Sequence, residues 1–144
     1  MKSCLTITFV LLFFSAAVRA QDFGNIYEEV KYTGKVGTSN VFLTIRYMGN
    51  VLKGEYYYTK YNKVINFMSK KDYADESGSV VMYEYIDNGL SSYDDVLEAM
   101  KKSTGSFVFS LQDLDNFDTR SKLSGKWVSA STGEKYIVEL TKKE

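Results

Sequence analysis

A regular alternation of side chains in the middle of the chain restricts the fold more than any other feature of the sequence. In residues 41–48 every second side chain belongs to one apolar face, which begins with Val41, Leu43 and Ile45, and residues 52–59 repeat this alternation. A period of two is that of a β-strand with one face against a core. Gly49-Asn50 separates the runs and is a typical pair for a tight turn, so this segment predicts a β-hairpin.

The same pattern, bounded by turn signals, recurs along the rest of the chain. Eight strands with even spacing and short connections predict an all-β fold, an eight-stranded antiparallel meander. A closed barrel and a curved sandwich are the two ways to build it, and we favour the barrel. The six predicted strands outside the hairpin are Tyr27–Val36, Lys63–Ser69, Ser79–Ile86, Thr104–Leu111, Lys122–Ser129 and Glu134–Thr141.

One segment departs from the strand pattern and predicts a short inserted α-helix. Ser92 is a suitable N-cap, and apolar residues follow it at helical spacing, namely Tyr93, Val96, Leu97 and Met100. We expect this apolar stripe to cover an open end of the sheet structure. A helix that binds a partner is the alternative.

Glycine recurs inside the predicted strands in a repeated local motif. In each case a small or basic residue precedes the glycine, and a polar and then a large apolar residue follow it. Glycine weakens a strand, so its repetition indicates sheet curvature or room for a neighbouring aromatic ring. The four copies are Thr33–Val36, Lys53–Tyr56, Thr104–Phe107 and Ser124–Trp127.

With these Gly-x-aromatic hairpins, the chain resembles small exported bacterial β domains. That resemblance implies an exported single domain and no particular activity. The segment Leu123–Trp127 also resembles the opening strand of avidin-like barrels. The second likeness covers five residues near the other end of the chain and implies no ligand residues. We expect Trp127 to be part of the core.

The first twenty residues have the pattern of a cleavable secretory signal. A positively charged start, an apolar run over residues 5–14 and small residues before the cut predict a signal peptide over 1–20. Cleavage after Ala20 leaves residues 21–144 as a single β domain, and cleavage after Ala17 is the alternative. We therefore expect an exported protein, periplasmic or secreted, without a membrane anchor in the mature chain.

Composition argues against most kinds of enzyme. The chain has no histidine, and its one cysteine, Cys4, lies in the expected signal peptide. Histidine–serine and histidine–cysteine catalytic sets are therefore excluded, as are zinc–thiolate sites. Acidic residues outnumber basic ones by two after Ala20, so we expect no nucleic-acid partner. We predict a non-catalytic domain without a cofactor.

One acidic loop and one glutamate in a predicted strand are candidates for chemistry. Asp113, Asp115, Asn116 and Asp118 form an oxygen-rich loop, which we interpret as turn formers and not as a calcium site. Glu84 alternates with Val80 and Met82, so it is buried if that face points inward. The opposite face carries tyrosines at 83 and 85 and is equally apolar. We favour the exposed position for Glu84. We predict no metal site and no catalytic residue in the chain.

The tyrosines are the remaining functional signal. Tyr57 shares the polar face of the central hairpin with Lys53 and Glu55, and Tyr61 lies in the next turn. Exposed tyrosines are typical anchors for partners, so we predict that these four residues bind a protein partner. The favoured function is a protein-binding accessory or inhibitor-like domain. The alternative is a carrier of a small apolar ligand in a lipocalin-like barrel, which large inward residues disfavour.

Overall fold

A computed structural model describes residues 28–72, 77–116 and 120–144 of the chain. The expected signal peptide and Asp118 of the acidic loop lie outside these residues. The elements in chain order are β1 (Glu28–Val36), β2 (Ser39–Met48), β3 (Val51–Tyr58), β4 (Val64–Ser69), β5 (Ser79–Tyr85), α1 (Tyr93–Met100), β6 (Gly105–Ser110), α2 (Leu111–Asp115), β7 (Lys122–Ser129) and β8 (Lys135–Lys142).

The eight strands form a closed antiparallel barrel. Each strand pairs with the next along the chain, and β8 pairs with β1 to complete the ring. In the central hairpin Met48 pairs with Val51 across Gly49-Asn50. Gly49 has a φ of 70°, a positive value at the first turn position that glycine adopts without strain. The predicted hairpin and the barrel are both confirmed.

Large side chains fill the interior of the barrel. Phe67, Phe107 and Phe109 are fully buried there with Tyr56, and their rings pack at centroid distances of 5.0 to 6.1 Å. Three of the four motif glycines make room for aromatic rings. A Cβ at Gly54 would lie 2.5 Å from the ring of Phe67. The expectation that these glycines accommodate aromatic rings is therefore correct for Gly54, Gly105 and Gly125, whereas Gly34 lies against the backbone of β8 at Glu139.

The expectation that α1 covers an end of the barrel is wrong. Val96 and Met100 of α1 pack on the outer side of β4 and β5, against Met68 and Tyr85, in a cluster separate from the barrel core. These outward residues are apolar, so the apolar stripe of the helix is buried against them. Ser92 caps the helix as predicted, accepting a hydrogen bond from the backbone N–H of Asp95 at 3.1 Å.

A second, unpredicted helix closes one end of the barrel. Leu114 of α2 is fully buried in the barrel core, and the hydroxyl of Tyr47 donates to its carbonyl oxygen at 3.0 Å. The opposite end carries the turns at 37–38, 59–63 and 130–134, and we call it the mouth. Neither α1 nor α2 is long and apolar enough to span a membrane, and this holds for the described residues only.

Candidate functional site

The mouth contains a recess of about 390 Å³ with aromatic walls. The rings of Tyr58, Trp127 and Tyr136 line it together with the carboxylate of Glu134. The other lining residues are small or hydroxyl-bearing: Val36, Thr38, Ser39, Ser129 and Thr132.

Strand periodicity explains why these rings lie at the mouth. Tyr56 is the last fully buried inward residue of β3, and Tyr58 is the next inward position, at the end of the strand. On β8, Val138 and Leu140 are buried, and Tyr136 precedes them on the same face. Trp127 pairs in register with Tyr136, and their ring centroids are 5.8 Å apart. The mouth rings therefore continue the core by one inward position beyond its last buried layer.

A buried carboxylate lies behind the recess. Glu84 is 3% exposed and accepts three hydrogen bonds from side chains. The indole Nε1 of Trp127 donates at 2.6 Å and the Thr104 hydroxyl donates at 2.7 Å. The Tyr56 hydroxyl also donates to this carboxylate. Burial is tolerated because every donor faces the same acceptor group. These bonds fix the indole ring that forms one wall of the recess.

The expectation that Glu84 is exposed is therefore wrong. The inward face of β5 carries Val80 and Met82 with Glu84, and its outward face carries Tyr83 and Tyr85. Because α1 covers the outward face, both faces are apolar and partly buried. Alternation along one strand could not distinguish them.

The electrostatic character of the recess is acidic. Glu134 lines it, Glu84 lies behind it, and none of its described lining residues is a lysine or arginine. Tyr136 donates to Glu134 at 3.0 Å, and this hydrogen bond raises the pKa of Tyr136. Burial raises the pKa of Tyr58, so its hydroxyl also stays protonated at neutral pH. Aromatic faces near carboxylates attract cations.

No family model, curated protein or solved structure matches this chain. The function must therefore be argued from the site itself.

The structure places the predicted partner-binding residues on the outer side and rim of the barrel. Lys53, Glu55 and Tyr57 face outward from β3, and all three are half-buried. Tyr57 stacks on Phe42 with centroids 5.2 Å apart, and Glu55 accepts a hydrogen bond from Arg46 at 3.1 Å.

Only one of these predicted residues lies at the mouth. Tyr61 is 68% exposed, in the turn that follows Tyr58, and its N–H donates to the carbonyl of Tyr58 at 3.0 Å. Lys53 lies five residues before Tyr58, about 16 Å along an extended strand. The structure therefore brings Tyr61 close to the recess and leaves Lys53 distant from it.

The sequence analysis predicted that Trp127 is part of the core and gave no functional role to Tyr58, Tyr136 or Glu134. Trp127 does point inward and packs on the core, but it is half-buried at the mouth. The signal that could have found the recess is an aromatic residue at an inward position close to the mouth end of a strand, repeated on β3, β7 and β8.

The acidic segment that the sequence predicted as a turn is partly helical, because Leu111–Asp115 form α2. Asp113 lies in α2 and pairs with Arg120, and the side-chain amide of Asn116 donates to the carbonyl of Gln112 at 2.8 Å. No cluster of potential metal ligands occurs among the described residues.

Proposed function

We propose that this chain is a non-catalytic binding domain that takes a protein partner at the mouth of its barrel. A basic side chain of the partner enters the recess, and the exposed ring of Tyr61 widens the contact. The outer-face residues Tyr57, Lys53 and Glu55 stay a prediction from the sequence. The observation that carries this proposal is a recess with three aromatic walls, two nearby carboxylates and no basic lining residue.

The magnitude of such a contact follows from cation–π energetics. A desolvated cation gains about 1–2 kcal/mol from each aromatic ring that it contacts. Two or three rings then give about 4 kcal/mol, which corresponds to a dissociation constant of about 1 mM for one isolated side chain. A protein partner adds contacts around it, so the recess acts as the anchor of a larger interface.

A carrier that holds a small apolar ligand inside the barrel is a weaker alternative. An eight-stranded barrel is just wide enough for its own side chains to fill. Phe67 and Phe107 are completely buried at its centre. These rings would have to move before a ligand could enter.

Trp127 provides a direct test, because it is the only tryptophan in the chain and lines the recess. Its fluorescence is titrated with N-acetylarginine amide and with N-acetylcitrulline amide, a neutral analogue of the same shape. We expect saturable binding of the arginine derivative at about 1 mM and at least tenfold weaker binding of the citrulline derivative.

Variants then locate the binding. Tyr136→Leu removes an exposed wall and should abolish saturation, whereas Tyr57→Leu removes a ring from the outer face of β3 and should leave it unchanged. The opposite result would assign the contact to the outer face. Equal binding of both derivatives would refute the cation site. Micromolar binding of free tetramethylammonium would identify a receptor for small cations and contradict the protein partner.

We also propose that the protein is exported and that the mature chain begins at Gln21, as residues 1–20 predict. Mass spectrometry of the protein from the medium or periplasm tests this. A chain that retains Met1 would contradict it.

A further inference from the structure

A second recess lies on the outer side of the barrel, beside α1, with a volume of about 840 Å³. It shares Ser129 with the recess at the mouth but does not include the aromatic walls of that recess. Volumes of this size are typical of sites for small organic ligands. Its lining residues are Lys70, Lys71, Tyr83, Tyr93, Leu97, Met100, Lys101, Ser103, Gly105, Ser106, Val128, Ser129 and Ala130.

A small residue in the floor explains this groove. Tyr83, Ser106 and Val128 are neighbours in register across β5, β6 and β7, and all three face outward. Ser106 stands between two larger side chains and leaves a depression. Leu97 and Met100 of α1 form the wall on the β5 side. The floor and wall are mainly apolar, although the groove is on the surface.

The charge of the groove is concentrated at one end. Lys70 and Lys71 follow β4, with their Nζ atoms 5.5 Å and 4.8 Å from the ring centroids of Tyr83 and Tyr93. Neither ammonium is in an ion pair among the described residues. Lys101 is already paired with Glu98, at 2.5 Å. No aspartate or glutamate is among the described lining residues, so no carboxylate of the described part of the chain compensates the charge of Lys70 and Lys71 in the groove.

We propose that this groove binds a small amphipathic carboxylate, such as a medium-chain fatty acid or an aryl-substituted acid. The carboxylate lies at Lys70 and Lys71, and the apolar body lies on Ser106 between Leu97 and Val128. Charge complementarity selects an anion, and the apolar floor selects a ligand with one charged end. This inference is independent of the proposed contact at the mouth, which selects the opposite charge.

Displacement of a fluorescent probe tests the proposal with the intact domain. 8-Anilinonaphthalene-1-sulfonate is anionic and apolar, and its emission reports occupancy. Decanoate should displace it at low salt. Decanol, which lacks the charge, and decyltrimethylammonium, which reverses it, should each displace it at least tenfold less well. Equal displacement by decanoate and decanol would overturn the proposal, because the surface would then be merely apolar.

Paired variants assign the displacement to this groove. Ser106→Phe fills the floor, whereas Val108→Phe adds the same ring at the next outward position of β6, outside the lining. Only the first should abolish decanoate binding. The double variant Lys70→Gln/Lys71→Gln leaves the floor intact and should weaken binding at least fivefold, whereas Lys126→Gln should not.

Unchanged binding in both groove variants would refute the site. A concentration-dependent dimer that Ser106→Phe abolishes would assign the groove to a second copy of the chain, and would also overturn the proposal.

Discussion

Removal of the Glu84 carboxylate should destabilise the fold strongly, by an amount that follows from its three donors. Glu84→Ala leaves the Tyr56 hydroxyl without its acceptor in a position that is 1% exposed. A buried donor without a partner costs about 1–3 kcal/mol. The hydrogen bonds that Thr104 and Trp127 donate to Glu84 are only partly buried, so both donors can bind water in the variant. The loss of each of these two bonds therefore costs about 1 kcal/mol. The expected loss is about 3–5 kcal/mol.

Glutamine at the same position should behave very differently. Its carbonyl oxygen can accept from both Tyr56 and Trp127, which share Oε1 of Glu84. Its amide group then faces Thr104, whose hydroxyl can rotate to accept. Glu84→Gln therefore keeps three neutral hydrogen bonds and loses only their charge assistance, and we expect a change of about 1 kcal/mol or less.

Urea unfolding followed by far-ultraviolet circular dichroism measures both variants. Small domains have a total stability of about 5–15 kcal/mol, so Glu84→Ala should shift the midpoint severely. Glu139→Gln is the control, an exposed glutamate on β8 whose replacement should have an effect within about 0.5 kcal/mol. A loss below about 1 kcal/mol for Glu84→Ala, or equal losses for both Glu84 variants, would refute the argument from shared donors.

Three further predictions concern the core and its ends. Gly105→Ala would place a Cβ 2.1 Å from the Trp127 ring, so the ring must shift; we expect a loss of about 1–3 kcal/mol and a change in tryptophan emission. Leu114→Ala should cost about 2–4 kcal/mol in urea melts, because Leu114 is completely buried at the closed end. Burial raises the pKa of Tyr32 to about 12. Its stabilisation is fully present below pH 10 and is lost as the pH rises through 12, so unfolding measured against pH should show less alkaline destabilisation in Tyr32→Phe.

The strands were predictable because their period is local. The predicted segment Lys122–Ser129 coincides with β7, and the turn at Gly49-Asn50 sets the register of β2 and β3 without information from elsewhere in the chain. The even spacing of eight strands predicted the antiparallel meander and left a closed barrel and a curved sandwich as the two ways to build it. The pairing of β1 with β8 is the long-range step that completes it.

Errors arose where one element covers another. The outward face of β5 is apolar because α1 packs on it. Without that contact, the sequence analysis placed Glu84 on the surface and placed α1 at an end of the barrel. The helix α2 was missed because Leu111–Asp115 is short and follows β6 directly. Its acidic residues resembled a turn, whereas Leu114 is held by contacts with the core. Such contacts are tertiary and leave no periodic signal in five residues.

A filled eight-stranded barrel restricts where binding can occur. Side chains occupy its interior, α2 closes one end, and hydrogen-bonded strands leave no free edge in the described sheet. Recognition is then confined to the mouth and the outer wall. The aromatic recess and the groove beside α1 lie in these two places and carry opposite charge preferences. Glu84 connects the mouth to the core, since its bonds to Tyr56 and Trp127 join a buried ring to a half-buried one at the mouth. Binding of a cation at Trp127 should therefore depend on the hydrogen bonds of Glu84, whereas neither Glu84 nor Trp127 lines the groove beside α1.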